Sequence, residues 1–384
     1  MRKETCIHSR HAEAATPGDI SRRSLLALGL SLLPLLAAAD VGNAETIASG
    51  LSNPRGIAFT ASGALYVAEA GRGGPGPCIP SPVQPVNRCY GETGAVARIL
   101  PEGGFERILT GLPSLALPDG TVEGGVVDVS AFGNILYVTI GLGGHPQFRE
   151  TLGGKSALFG TQLQLTPSGA YKVVADVAGH EVSTNPAGGN IDSNPYGTVA
   201  LAGRRIVADA GANALIEVLA NGSTRTFAVL PTLPPLPPSP AGREPVPTSV
   251  VEGPDGALYV GQLSSFPFWA GTASVLRVSS DGASIANHAG GYTAIVDVAF
   301  DTGGALYVLE VAAGQSGAFP PPNPGLGIGR LLRQCPGAAP VVLLDDLTFS
   351  SGVAIGPDGA AYLTNFGTSP NAGEVLRLPL TPCS

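Results

Sequence analysis

Five side chains able to hold a cation or a polar ligand stand at one recurring position in this chain. Glu69, Asp209, Gln262, Glu310 and Asn365 each close a short apolar stretch, as in Leu65-Tyr66-Val67-Ala68-Glu69 and Leu306-Tyr307-Val308-Leu309-Glu310. Carboxylate and amide oxygens are the ligands that hard cations prefer. Glu69, Asp209, Glu310 and Asn365, joined by Asp192 and Asn194, are therefore candidate ligands for Ca²⁺ or another divalent cation. Asn190, Asp192 and Asn194 do not complete an EF-hand loop, because Pro195 stands where that loop needs Gly. The competing reading is that these groups are solvated or bonded to backbone. Asp128, Glu181, Asn185, Asn190, Gln262 and Asp297 are candidate polar contacts for a bound molecule. His145 and His180 could act as general base in a metal-assisted hydrolysis, or be ordinary loop residues.

A second group is aromatic. Phe266, Phe268 and Trp269, the only tryptophan, form an apolar cluster suited to a flat hydrophobic ligand or a protein contact; alternatively they pack beneath a neighbouring loop. That neighbour, residues 231–247, holds eight prolines and reads as a stiff polyproline segment. Other chemistries lack their residues. There is no Gly-x-Ser-x-Gly elbow and no His-Glu-x-x-His. Gly154-Lys155-Ser156 resembles the end of a phosphate loop, but Arg149 occupies its first glycine position.

The elements that must position these groups are strands. The 384 residues include 54 Gly and 35 Pro, nearly twice the roughly 12% of average usage. Charged residues make up only 13% and hydrophobic ones 44%, so the chain buries a large core and is not disordered. The net charge of -8, with no basic run outside the N-terminal segment, argues against nucleic acid or an anionic membrane as partner.

One phrase recurs along the chain: an apolar strand, a tight Gly turn, and a second strand ending in a polar residue. Its aligned positions are 66, 137, 206, 259, 307 and 362. Six copies in the residues after 44 give about 57 residues per unit, enough for four short strands each, which is the pattern of a β-propeller. The expected fold is an all-β, six-bladed β-propeller spanning 45–384, with strand Thr46 to Ala48 completing the last blade and removing its free edge. A sandwich needs no repeated phrase, and a β-helix repeats at a shorter period.

Residues 1–44 read as a twin-arginine signal peptide, with Arg22 and Arg23 before an apolar run that contains Pro34. That run falls short of the ~20 residues that span a bilayer, so removal after Ala44 is expected over a retained anchor. Loss of the segment also removes Cys6. The four remaining cysteines suit two disulfides in an oxidising compartment, periplasmic or secreted. Of three connectivities, Cys78 with Cys89 and Cys335 with Cys383 is preferred; a zinc site is disfavoured because no pair has Cys-x-x-Cys spacing.

If the strands of each blade are lettered A to D outward, the A–B and C–D turns are short. The long insertions at 71–94, 141–160, 177–195, 231–247, 263–271 and 311–329 all fall on the opposite face. Long loops gathered on one rim mark it as the functional face, and the polar ends of five B strands lie there too, with Ile140 the exception.

The phrases from Asn53 to Phe59, from Cys78 through Cys89 to Gly91, Asp192-Ser193-Asn194-Pro195-Tyr196-Gly197, Val207 to Ala214 and Phe266-Pro267-Phe268 together resemble the ScyD/ScyE family. The resemblance covers nearly all of the chain after the leader. It implies an exported β-propeller with NHL-like repeats. The family's name comes from cyanobacterial scytonemin biosynthesis, where members are implicated in late extracytoplasmic steps on an aromatic pigment precursor. It supplies no catalytic residue to carry over.

Two functions of different class follow as expectations. One is a monomeric binding or scaffold protein that engages a small aromatic molecule or an extracytoplasmic protein on the long-loop face. The other is a metal-dependent hydrolase of the lactonase or esterase type, with its cation in the channel.

Overall fold

The computed structural model describes residues 44–81, 85–166, 169–236, 242–266, 268–312 and 326–383. The expected leader lies outside the described residues up to 43, as do parts of the loops 231–247 and 311–329. Among the described residues no helix is long and apolar enough to cross a membrane.

Nearly all the regular secondary structure of the described residues lies in strands. In order these are β1 (Glu45–Leu51), β2 (Pro54–Phe59), β3 (Leu65–Glu69), β4 (Cys78–Pro80), β5 (Asn87–Ile99), β6 (Phe105–Ala116), β7 (Val122–Phe132) and β8 (Ile135–Gly141). Then come β9 (Thr161–Leu165), β10 (Tyr171–Asp176), β11 (Pro195–Leu201), β12 (Arg204–Asp209), β13 (Ala214–Leu219), β14 (Thr224–Val229), β15 (Pro247–Glu252) and β16 (Leu258–Gln262). The last are β17 (Ala273–Val278), β18 (Ile285–Tyr292), β19 (Ile295–Phe300), β20 (Leu306–Ala312), β21 (Leu326–Gln334), β22 (Val341–Thr348), β23 (Val353–Ile355), β24 (Ala361–Asn365) and β25 (Gly373–Leu378). Two short helices, α1 (Phe148–Leu152) and α2 (Val177–Thr184), interrupt them. The repeated turn needs glycine for a backbone reason: Gly63, Gly256, Gly304 and Gly359 hold φ of 81°, 72°, 82° and 76° between paired strands, a region that side chains with a Cβ avoid.

The strands form a propeller arrangement of four discrete four-stranded sheets and one nine-stranded sheet. The four are β11 to β14, β15 to β18, β19 to β22, and β1-β25-β24-β23. In the last, the N-terminal strand pairs antiparallel with the C-terminal one, Ala48 opposite Val375, so the two ends of the fold cover each other's edges.

Six separate four-stranded sheets were expected, and the nine-stranded sheet departs from that. Its path runs β10-β9-β8-β7-β6-β5-β3-β2, with β4 on β5. The cause is strand length. The third and fourth strands of the first repeat are not short but extend over Asn87–Ile99 and Phe105–Ala116. The overlong hairpin reaches β7 and pairs with it at Leu115↔Gly124 and Ala116↔Val122. Part of the expected loop 71–94 is thus strand, closed by Cys78 opposite Cys89.

Both disulfides have the preferred pairing, Cys78–Cys89 and Cys335–Cys383. The core lies between sheets, as where Tyr259 and Val275 meet Val298 and Val308. Six first strands, β2, β7, β11, β15, β19 and β23, pack each against the next and return to β2. They line a central channel of about 330 Å³.

Candidate functional site

The polar residues that end the second strands are structural fasteners. Glu69 Oε1 accepts the Ser52 backbone N–H at 2.7 Å, Glu310 Oε1 accepts that of Thr293 at 2.8 Å, and Asn365 Oδ1 accepts that of Thr348 at 2.8 Å. Asp209 Oδ1 does the same for Asn194 at 2.7 Å, and its Oδ2 accepts the Ser193 hydroxyl. In each case a side chain ties down the segment that leads into its own sheet. The two glutamates gain a guanidinium as well. Arg107 bonds both oxygens of Glu69 at 2.7 Å, and Arg330 Nε reaches Glu310 Oε2 at 2.6 Å. Desolvation leaves the Glu310 carboxyl above the usual range, with Arg330 pulling the other way. Asp209 is pushed up to about 6 by burial, against the pull of its hydrogen bonds.

Four of the six proposed cation ligands, Glu69, Asp209, Glu310 and Asn365, therefore spend oxygens on local donors in different sheets and are not gathered around one ion. Among the described residues no group of three or more His, Cys, Asp or Glu could hold a metal ion. Asn194 contributes its backbone N–H to Asp209.

Gln262 is the exception. Three of the fasteners bond a backbone N–H seventeen residues earlier, and seventeen before Gln262 stands Pro245, which has none. The registers are equivalent, with Pro247 opposite Gln262 as Ile295 is opposite Glu310 and Pro54 opposite Glu69. The Gln262 side chain is fully buried, yet both its amide nitrogen and its oxygen lack a partner. Two residues on, the Ser264 hydroxyl is also buried and unpartnered. The same loop then carries the aromatic cluster outward. Phe266 is 64% exposed and meets Phe268 edge to face at 6.0 Å, while Phe268 and Trp269 are half-buried. Phe266 thus keeps most of its side chain exposed.

A second polar cluster forms over α2. Asp176 caps that helix by accepting the Gly179 N–H at 2.9 Å. Glu181 points inward toward Asp209 and Asp192, and burial pushes its carboxyl up to about 7, helped by those two charges. Asp192 is raised by burial and drawn down by Arg88. Arg88 is wholly buried, with Nη1 on the Leu142 carbonyl at 3.0 Å and Nη2 on that of Gly143. Asn185 ends the helix in the left-handed conformation, φ 39°. Asn190 is exposed.

His180 is not poised as a base. Its Nε2 meets the Thr226 hydroxyl at 2.9 Å and its Nδ1 that of Thr224 at 3.2 Å, and burial lowers its pKa. It fastens α2 onto β14. His145 Nδ1 accepts the Gln147 N–H at 3.2 Å, and its charge lowers the Asp192 pKa.

Asp128 and Asp297 project into the channel from β7 and β19. Asp128 Oδ2 accepts the Thr198 N–H at 2.7 Å, and Asp297 Oδ2 that of Val353 at 2.8 Å, so each carboxylate clasps the next inner strand. Gly56 must stay small here, since a Cβ there would fall 1.9 Å from Asp128 Oδ1. The lining holds no Lys, Arg or His; its other acidic side chain is Glu252. Desolvation, and for Asp128 also the Asp297 charge, raises both carboxyls, Asp297 to about 7.

A carboxyl whose folded pKa exceeds its unfolded value binds more protons when folded, so its contribution falls as pH rises from about 4 to about 7. The difference in unfolding free energy between wild type and Asp297→Asn should drift against wild type across that window and level off above it, on top of a constant offset for the lost acceptor. Urea melts at pH 4, 5.5 and 8 measure this. A difference that stays flat would mean that Asp297 titrates normally.

Sequence reasoning missed Ser264 and Arg88. Ser264 was signalled only by its place two residues after the recurring position, and Arg88 by nothing local.

No family model matches the sequence, and no curated protein does. Solved structures resemble it at low identity. A virginiamycin B lyase from Staphylococcus aureus is 13% identical, with 88% of this chain and 99% of that one covered and a TM-score of 0.47. A glucose dehydrogenase is 14% identical over 88% and 100%, with a TM-score of 0.49. A chain of a nidogen/laminin complex is 12% identical over 72% and 84%, with a TM-score of 0.46. Likeness this distant carries no argument about chemistry.

Proposed function

We propose that this chain is an exported, monomeric, six-bladed propeller that binds a small aromatic molecule on its long-loop face, at the rim of the β15–β18 sheet. The observation that carries the reading is the cluster of Phe266, Phe268 and Trp269, left at the surface on the loop that begins at the unpartnered Gln262 amide and Ser264 hydroxyl. Aromatic faces supply stacking area at low entropic cost, and a buried amide with donor and acceptor both unspent rewards a ligand that bears a polar edge. For such a ligand to reach the amide, the loop has to lift.

The count of six treats the nine-stranded sheet as two blades joined along one edge, supported by the closed ring of inner strands. Two disulfides belong to an oxidising, extracytoplasmic compartment, in keeping with the leader. The resemblance to the ScyD/ScyE family, whose name is tied to an aromatic pigment, points to the same ligand class. The hydrolase reading places its cation in the channel, and the strand-end oxygens of Glu69, Asp209, Glu310 and Asn365 are instead taken up by backbone N–H groups in separate sheets.

The test uses the single tryptophan. Phenolic and indolic compounds titrated into residues 45–384 should quench or shift Trp269 emission along a saturable curve. Gln262→Leu should weaken that binding about tenfold, the worth of one lost hydrogen bond. Emission that follows only a linear, collisional course for every compound would sink the proposal.

A further inference from the structure

We infer that the loop over α2 is a Ca²⁺ site whose side-chain ligands are Glu181 Oε2, Asn185 Oδ1 and Asp192 Oδ1. This rests on different residues from the aromatic reading and stands apart from it. All three oxygens are buried and none receives a hydrogen bond. The Asp192 backbone amide faces the Glu181 carboxylate, which sets these two side by side. Asn185 lies one helical turn on, its N–H bonded to the Glu181 carbonyl at 2.8 Å. Its amide nitrogen is spent on the Gly189 carbonyl at 3.0 Å, so the atom left over is the acceptor.

The chemistry of the leftover atoms selects the ligand. A mixture of unmet donors and acceptors is satisfied by water. The three oxygens named here are all acceptors, two of them on carboxylates, and the Glu181 side chain is only 2% exposed. Burying such oxygens is costly unless positive charge offsets it, and Arg88 acts on Asp192 while Glu181 has only the Asp209 and Asp192 charges beside it. The nearest guanidinium, Arg88, gives its Nη atoms to the Leu142 and Gly143 carbonyls. Asp209 adds negative field but no ligand, since its two oxygens accept four donors. Oxygen-only ligands, without thiolate or imidazole, suit Ca²⁺, which completes its shell of about 6 to 8 oxygens with backbone carbonyls and water. Two carboxylates and an amide also agree with the absence of any three-residue His, Cys, Asp or Glu group among the described residues.

The test is the melting temperature of residues 45–384, first stripped with a chelator and then returned to CaCl₂ or MgCl₂ at equal concentration. At about a hundredfold excess over Kd, Ca²⁺ should raise Tm by about 5 °C for a domain of this size. Mg²⁺ should do less, because it gives up its water reluctantly. Glu181→Gln and Asp192→Asn should each abolish the rise. In chelator, Glu181→Gln should melt no lower than wild type, since it removes a buried charge and keeps the shape, which separates lost binding from a damaged fold. A wild-type Tm that Ca²⁺ does not move, an equal rise with Mg²⁺, or a rise that survives in both variants overturns the site.

Discussion

Glu310→Ala should lower the unfolding free energy by about 3–5 kcal/mol, the range for breaking one side of a buried ion pair. Glu310 has no exposed surface, and its oxygens hold the Thr293 N–H and the Arg330 guanidinium. Truncation leaves both donors unmatched and frees the segment that enters β19. A buried ion pair gains little over an apolar pair of similar volume, because desolvation offsets most of the attraction, and desolvation is the leading influence on the Glu310 carboxyl. Glu310→Leu combined with Arg330→Leu should therefore recover most of the loss, short of the about 1–3 kcal/mol for the orphaned N–H. The same position in the neighbouring sheet should behave in the opposite way. Gln262 satisfies nothing, so Gln262→Leu should be neutral or stabilising. Urea denaturation of the four proteins decides it; equal losses at 310 and 262 would show that the fastener does not exist.

Cutting the Cys335–Cys383 disulfide should cost about 4 kcal/mol on the loop-entropy estimate, given its sequence separation of 48. The bond ties the segment after β25 to the turn between β21 and β22, and Arg333 also donates to the Thr381 carbonyl there. Since β25 carries β1, loosening this end weakens the seam where the two termini meet. Cys335→Ser with Cys383→Ser should unfold earlier than the matching Cys78→Ser with Cys89→Ser protein, whose separation is only 11 and whose loss is put at about 3 kcal/mol. Denaturant midpoints of the two double variants give the order. The reverse order would mean that the β4–β5 clip stabilises its hairpin in some further way than by shortening a loop.

How far the sequence could be read depended on whether a feature announces itself locally. The recurring Gly turn did, because only a left-handed backbone asks for glycine there, and the four turns ending at Gly63, Gly256, Gly304 and Gly359 all have it. So did the closing strand, since one repeat lacked its fourth strand and only the N-terminal segment was spare. The cysteine pairing was legible once Cys6 was set aside with the expected leader. The merged sheet was not, because whether a strand stops at residue 109 or runs to Ala116 depends on the neighbour waiting at Val122 and Gly124.

The site divides along the same line. From the sequence, Glu69, Asp209, Gln262, Glu310 and Asn365 are five similar polar groups on one rim, with equal claim to a ligand. Tertiary structure separates them. The partner that occupies four is a backbone N–H, a group nearly every residue carries and no residue type advertises. The fifth is left unoccupied because Pro245 lacks that N–H, which is the one part of the pattern visible in the letters once the fold supplies the register. Sequence alone thus determined the repeat and the closure of the last sheet by the N-terminal strand. Which of those residues are already satisfied, at Glu310, and which are not, at Gln262 and Glu181, was decided only by packing, because hydrogen-bond satisfaction belongs to pairs of atoms brought together in space.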